Sequence, residues 1–172
     1  MRKKIAVLIT HNFEDLEYTE PVEAFRAARH CISNIEHRAG NIVYGKRRTH
    51  AVTIDQSIDC ISVHDFDALL IAGGDSPELL RNDARYVNFV RNFAGAYKPI
   101  MCSCHGAKLL INAQVVKGRR MTSSEMMMLE LQNAGAVYFD TPVVNDNNLY
   151  ITSRMLHDLP EFIKETLHVL KQ

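Results

Sequence analysis

The residues best suited to covalent chemistry stand at Ser103-Cys104-His105-Gly106, where one apolar run stops and a helix-like run begins. A cysteine on a strand-to-helix turn is lifted clear of the sheet, and a small residue such as Gly106 just after it permits the sharp backbone path. The helix N-terminus offers partial positive charge and free N–H groups. These favour thiolate over thiol and can hold an oxyanion during attack on a carbonyl. Cys104 is therefore a candidate nucleophile. The plainer alternative is a small buried residue, which is what free cysteines most often are. Cys102 lies on the preceding strand and reads as structural.

The neighbours of Cys104 carry less information by themselves. Side chains of adjacent residues generally diverge, so His105 acts as a base only if the turn is unusual; otherwise it caps the helix start. His11 reads as a polar loop residue. Glu14-Asp15-x-Glu17 places three carboxylates after the first apolar run. One of them, buried beside a thiolate, would be pushed towards its protonated form. On spacing alone, acidic residues gathering at a helix N-terminus explain the cluster as well. Gly73-Gly74-Asp75-Ser76-Pro77-Glu78 lacks a Walker lysine and the G-x-G-x-x-G spacing, so nucleotide binding is rejected there. Its glycines fit a close backbone approach. Met126-Met127-Met128 reads as core packing or an adaptable apolar surface.

These residues must be placed by a series of strands and helices. Lys4 to Ile9, Phe66 to Ala72 and Lys98 to Cys102 are continuous apolar runs, as expected of parallel strands covered on both faces. Cys31 to His37 is a weaker strand, 40–45 a loop, and Ala51 to Ile54 a short strand. Helices are expected over Leu16 to Arg29, Asp83 to Ala96, Ala107 to Ala113, Glu125 to Asn133 and Leu159 to Leu170. Pro21 must fall in the first turn of its helix or kink it. Val143 to Thr152, with a polar turn-forming centre, reads as a hairpin. Alternating strands and helices imply a mostly parallel sheet wrapped by helices on both faces, in one domain covering residues 1–172. Ligands of such sheets bind beyond the carboxyl ends of the strands. The loops at His11 to Glu17, Gly73 to Glu78 and Ser103 to Gly106 all leave such ends.

Composition sets the remaining bounds. The 20 basic and 20 acidic residues cancel, so no basic excess points to nucleic acid. The basic start Met1 to Lys4 mimics a signal peptide, but the apolar run after it is too short, and no stretch approaches a membrane span. The four cysteines, at 31, 60, 102 and 104, include a C-x-C pair with no second ligand pair at metal spacing. Reduced thiols, a cytoplasmic location, no metal and no cofactor are the expectations.

The chain resembles the ThiJ/PfpI superfamily, most closely its PfpI-type intracellular cysteine peptidase-like branch. The stretches that carry the resemblance are Asn12 to Glu17, Phe66 to Gly74, Ser76-Pro-Glu78, Cys104-His-Gly106, Asn133 to Ala136 and Asp146 to Arg154, in family order along nearly the whole chain. The resemblance implies a flavodoxin-like three-layer sandwich related to class I glutamine amidotransferases. It assigns Cys104 as nucleophile, His105 as its partner, and Glu17 as the buried glutamate that hydrogen-bonds the sulfur. Glu78 becomes the acid that reaches the histidine of a neighbouring subunit, in a homodimer or higher even oligomer. Gly73, Gly74 and Gly106 fall around the substrate or oxyanion. The implied substrates are small reactive carbonyls or their protein adducts (glyoxalase or deglycase chemistry), with peptidase or amidase activity as an alternative. A non-enzymatic redox sensor oxidised at Cys104 is a further one. Ser103, Ala107, Met155-Leu156 and the stretch Thr122 to Met128 depart from the family pattern and imply a reshaped pocket.

Overall fold

A computed structural model describes all 172 residues. Its strands are β1 (Lys4–Leu8), β2 (Cys31–Glu36), β3 (Ile42–Tyr44), β4 (Ala51–Thr53), β5 (Gln56–Ser57), β6 (Ala68–Ile71), β7 (Ile100–Ser103), β8 (Arg120–Met121), β9 (Val137–Tyr138), β10 (Val143–Asp146) and β11 (Tyr150–Ser153). Its helices are α1 (Asp15–Ala27), α2 (Ser76–Leu80), α3 (Ala84–Gly95), α4 (Ala107–Asn112), α5 (Met128–Asn133) and α6 (Leu159–Leu170). Seven strands form the central sheet in the order β10-β11-β7-β6-β1-β2-β5, and only β10 runs antiparallel to its neighbour. No helix is long and apolar enough to cross a membrane.

The apolar runs explain the two covered faces. Along β1 and just beyond it, Ile5, Val7 and Ile9 enter one core with Phe13, Phe25 and Phe162, while Ala6 and Leu8 enter the other with Phe89, Phe93 and Leu109. The period of two along a strand thus feeds both layers. Helices α1 and α6 cover the first face, and α3 with α4 the second. Helix α3 buries Tyr86, Phe89, Val90 and Phe93, the spacing of a single helical face, and Asp83 caps its start by accepting from the Arg85 amide at 3.0 Å.

Several local expectations are revised. The segment 40–45 is not wholly a loop: Ile42–Tyr44 pairs with Ala51–Thr53 as a hairpin outside the main sheet. Pro21 sits in the interior of α1, beyond its first turn, so it cannot donate to the Glu17 carbonyl. The segment at Glu125 begins as a single 3-10 turn, and it divides the methionine run: Met127 is buried whereas Met126 is exposed.

The chain leaves β1 towards β2 on one side and returns to β6 on the other, which makes the crevice between β1 and β6 a topological switch point. The two loops there are laced together. The Asp75 amide donates to the Asn12 carbonyl at 2.8 Å, and the Thr10 amide donates to the Ser76 hydroxyl at 2.9 Å.

Candidate active site

Cys104 follows β7, whose four residues are all buried, and it takes the left-handed φ of +50°. A side-chain-bearing residue held there costs on the order of 1–3 kcal/mol and persists only when its surroundings over-determine it. They do so here. The Ser123 hydroxyl donates to the Cys104 carbonyl at 2.6 Å. A Cβ on Gly106 would stand 2.7 Å from the Cys102 Cβ and 3.2 Å from the Ile71 carbonyl oxygen. Only glycine lets the turn Cys104–Gly106 settle onto β6 and β7 before α4 begins. Gly106 is therefore placed as a packing position beneath the elbow, and Cys102 lies in the core below it.

The three carboxylates after β1 have separate fates. Asp15 is fully buried and accepts from the amides of Arg47 (2.9 Å), Thr49 (3.2 Å) and His50 (3.1 Å) and from the Thr49 hydroxyl (2.8 Å). It pins the tip of the β3–β4 hairpin to the start of α1. Glu14 accepts from the Arg47 guanidinium at 2.7 Å. Glu17 is buried, and its Oε1 has no hydrogen-bond partner. The hydrogen bond from Glu17 to the sulfur that the resemblance implies is thus not formed in this geometry, and the two groups act on one another through charge.

That electrostatics reverses the expectation of an acidified thiol. Burial first, then the charge of Glu17, push Cys104 up to about 11, against smaller contributions from the His105 amide, the Ser124 hydroxyl and Lys46. Burial and the nearby Glu14 push Glu17 up to about 7. His105 is held below its usual value by burial and by Lys108 and Lys46, so its imidazole is neutral at pH 7.

Cys104, His105, Glu17 and Gly74 line one cleft of about 290 Å³, together with Glu14, Lys46 and the segment Met155-Leu156-His157. Gly73 does not line the cleft; it packs behind Glu17, where an added Cβ would collide with the Glu17 carboxyl. Glu78 stands apart from this group. It is half-exposed on α2, where Lys108 (2.8 Å) and Arg81 (2.9 Å) hold its carboxyl below the usual range. Gly74 has φ +73°, and a Cβ there would lie 2.7 Å from the Asn12 carbonyl oxygen and 2.8 Å from the Phe13 carbonyl carbon. Replacing Gly74 with alanine is expected to cost about 2–4 kcal/mol, combining left-handed strain with backbone overlap. A lowered urea midpoint with an unchanged slope is the check.

Lys46 and His157 were not legible as cleft residues. Lys46 is far from Cys104 along the chain, and its approach depends on the buried Asp15 anchor. The only signal near His157 was the departure at Met155-Leu156.

Comparison with known proteins places the chain in a family. The pattern of the DJ-1/PfpI family matches residues 3–169. The chain is 48% identical over 170 residues to Protein/nucleic acid deglycase 2 of Escherichia coli (strain K12), covering 99% of each chain. It is 46% identical over 172 residues to General stress protein 18 of Bacillus subtilis (strain 168), covering 100% of each. A crystal structure from Anabaena variabilis, with a DJ-1/ThiJ/PfpI-like and a ferritin-like domain, superposes with a TM-score of 0.95 at 30% identity. That match covers 99% of this chain and 48% of the two-domain protein. The chain belongs to the DJ-1/PfpI family.

Proposed function

We propose that the chain is a cysteine-dependent hydrolase or lyase that uses Cys104 to process small reactive carbonyls or their adducts in stress protection. The observation that carries this reading is the left-handed elbow that holds the Cys104 sulfur in a small cleft beside the buried Glu17 carboxyl. A cleft of about 290 Å³ suits a molecule of a few carbons or the modified tip of a larger one. The names of its relatives, a deglycase and a general stress protein, support the same assignment.

The chemistry follows from the groups present. We assign the neutral His105 imidazole, which lines the same cleft without bonding the sulfur in the resting geometry, as the group that accepts the thiol proton when the sulfur attacks an aldehyde carbon. An S–C bond forms, the carbonyl π pair moves to oxygen, and a proton completes a hemithioacetal. With a 2-oxoaldehyde, transfer of hydrogen from C1 to C2 leaves a thioester. Water then cleaves it, releasing a 2-hydroxy acid and the free thiol. A protonated Glu17, in the same cleft, supplies a proton to the oxygen that develops charge. Glu78, tied to Lys108 and Arg81 on the outer surface, has the exposure that a contact with a second copy of the chain would need.

Methylglyoxal consumption by the wild type and by Cys104→Ala tests the reading. Loss of turnover by at least a hundredfold in the variant is expected, because nucleophilic catalysis has no substitute in the cleft. Equal turnover by both proteins would overturn it. A redox role is the second reading, favoured by the partly accessible Cys104 beside a carboxyl able to carry a proton. No turnover by reduced wild type, with ready addition of two oxygens at Cys104 by intact mass, would establish it instead.

A further inference from the structure

Lys46 is a basic residue of the cleft that the chemistry above leaves unused. Its position is built with care. The backbone of the hairpin tip is fixed by Asp15 through the amides of Arg47, Thr49 and His50, and the Lys46 amide itself donates to the Phe13 carbonyl at 2.8 Å. Its ammonium has one anionic neighbour, Glu14, at 3.9 Å. That carboxylate is already engaged at 2.7 Å by Arg47, which leaves the lysine charge incompletely spent. The other carboxyl in the cleft, Glu17, is held towards its neutral form by burial and by Glu14. The Lys46 side chain is 43% exposed, and it faces the space that Cys104 and His105 also line.

We propose that Lys46 is a specificity-determining residue that makes the Cys104 cleft favour reactants carrying an anionic group, a carboxylate or phosphate, within a few carbons of the reactive carbon. This rests on the reading above only in taking Cys104 as the reacting atom. An ammonium held only loosely, at 3.9 Å, by a carboxylate that Arg47 already engages attracts an anion into the cleft that the sulfur lines and offers nothing to a neutral molecule of the same shape. Anionic 2-oxoaldehydes and their adducts would then be preferred over neutral ones.

Alkylation of Cys104 separates this from any effect on turnover. Iodoacetate and iodoacetamide react by the same displacement of iodide by sulfur and differ in charge. Any change in the thiol's ionisation alters both rates alike and cancels in their ratio. The iodoacetate-to-iodoacetamide ratio at Cys104, read by peptide mass, is expected to fall about fivefold to tenfold in Lys46→Met. It is expected to recover in Lys46→Arg. The ratio at the exposed Cys60 serves as internal control. A ratio unchanged in Lys46→Met, or one that moves equally at Cys60, overturns the proposal. In a second arm, kcat/KM for 4,5-dioxopentanoate, a 2-oxoaldehyde that carries a carboxylate, falls relative to that for methylglyoxal in the same variant. If wild type turns over neither compound while the alkylation ratio still falls, carbonyl processing fails and the anion preference stands.

Discussion

Glutamine at position 17 is expected to stabilise the folded chain at pH 8 by about 3 kcal/mol while cutting carbonyl turnover at least a hundredfold. Burial and Glu14 raise Glu17 from 4.5 in the open chain to about 7 in the folded one. A group raised on folding holds its proton in the native state while the unfolded chain has released it. Below pH 4.5 both states are protonated and nothing is lost. Between pH 4.5 and 7 stability falls as pH rises, and above 7 the full cost of the buried charge is present. A gap of about 2.5 units corresponds to about 3 kcal/mol. Glutamine removes the charge and keeps the shape. The stability difference between variant and wild type should therefore grow from near zero at pH 4 to its full value at pH 8, as read by urea unfolding. A flat difference would mean that the carboxyl is not strained in the native state. The loss of turnover follows because glutamine has no proton to exchange with the sulfur or the substrate oxygen, a role worth roughly two to four orders of magnitude in rate.

Asp15→Ala should have the opposite sign and a comparable size. Burial alone would raise this carboxyl, but hydrogen bonds from Arg47, Thr49 and His50 outweigh it and bring it below its usual value. Truncation leaves three backbone N–H groups and a hydroxyl without their acceptor, at about 3–5 kcal/mol. In the wild type the stabilisation is present above pH 3.8 and is lost as the pH falls below it, since the native carboxylate must then take up a proton. The preference for anionic over neutral reactants should fall too, although Asp15 does not line the cleft, because the hairpin tip that carries Lys46 loses its anchor. Amide exchange at residues 47, 49 and 50 reports the release directly. Protection equal to that of the wild type would show that the hairpin holds by other contacts.

The uneven legibility of this molecule has a physical basis. The buried strands β1, β6 and β7 and the hairpin β10–β11 were readable because a strand covered on both faces, or a polar turn between apolar arms, leaves a local pattern. Strands β5, β8 and β9 have two residues each, too few to show a period, and β3 was hidden by the polar residues around it. The elbow at Cys104 was readable because strand, turn and glycine are consecutive. Lys46 was not, since its place depends on a carboxylate some thirty positions away. The direction of the Cys104 shift was also out of reach. Spacing shows a helix N-terminus but not how deeply the sulfur is buried.

The strand order has a consequence for how the protein is made. Strand β7, which carries the cysteine, is flanked by β6 on one side and by β11 on the other, and β11 comes much later in the chain. On a ribosome, the β7 edge stays unpaired until Tyr150–Ser153 emerges, and the cleft wall at Leu156 and His157 follows later still. A nascent chain therefore holds the reactive sulfur before it holds the enclosure that governs it. Quality control during synthesis has to span that interval, because an open apolar edge invites association with other chains.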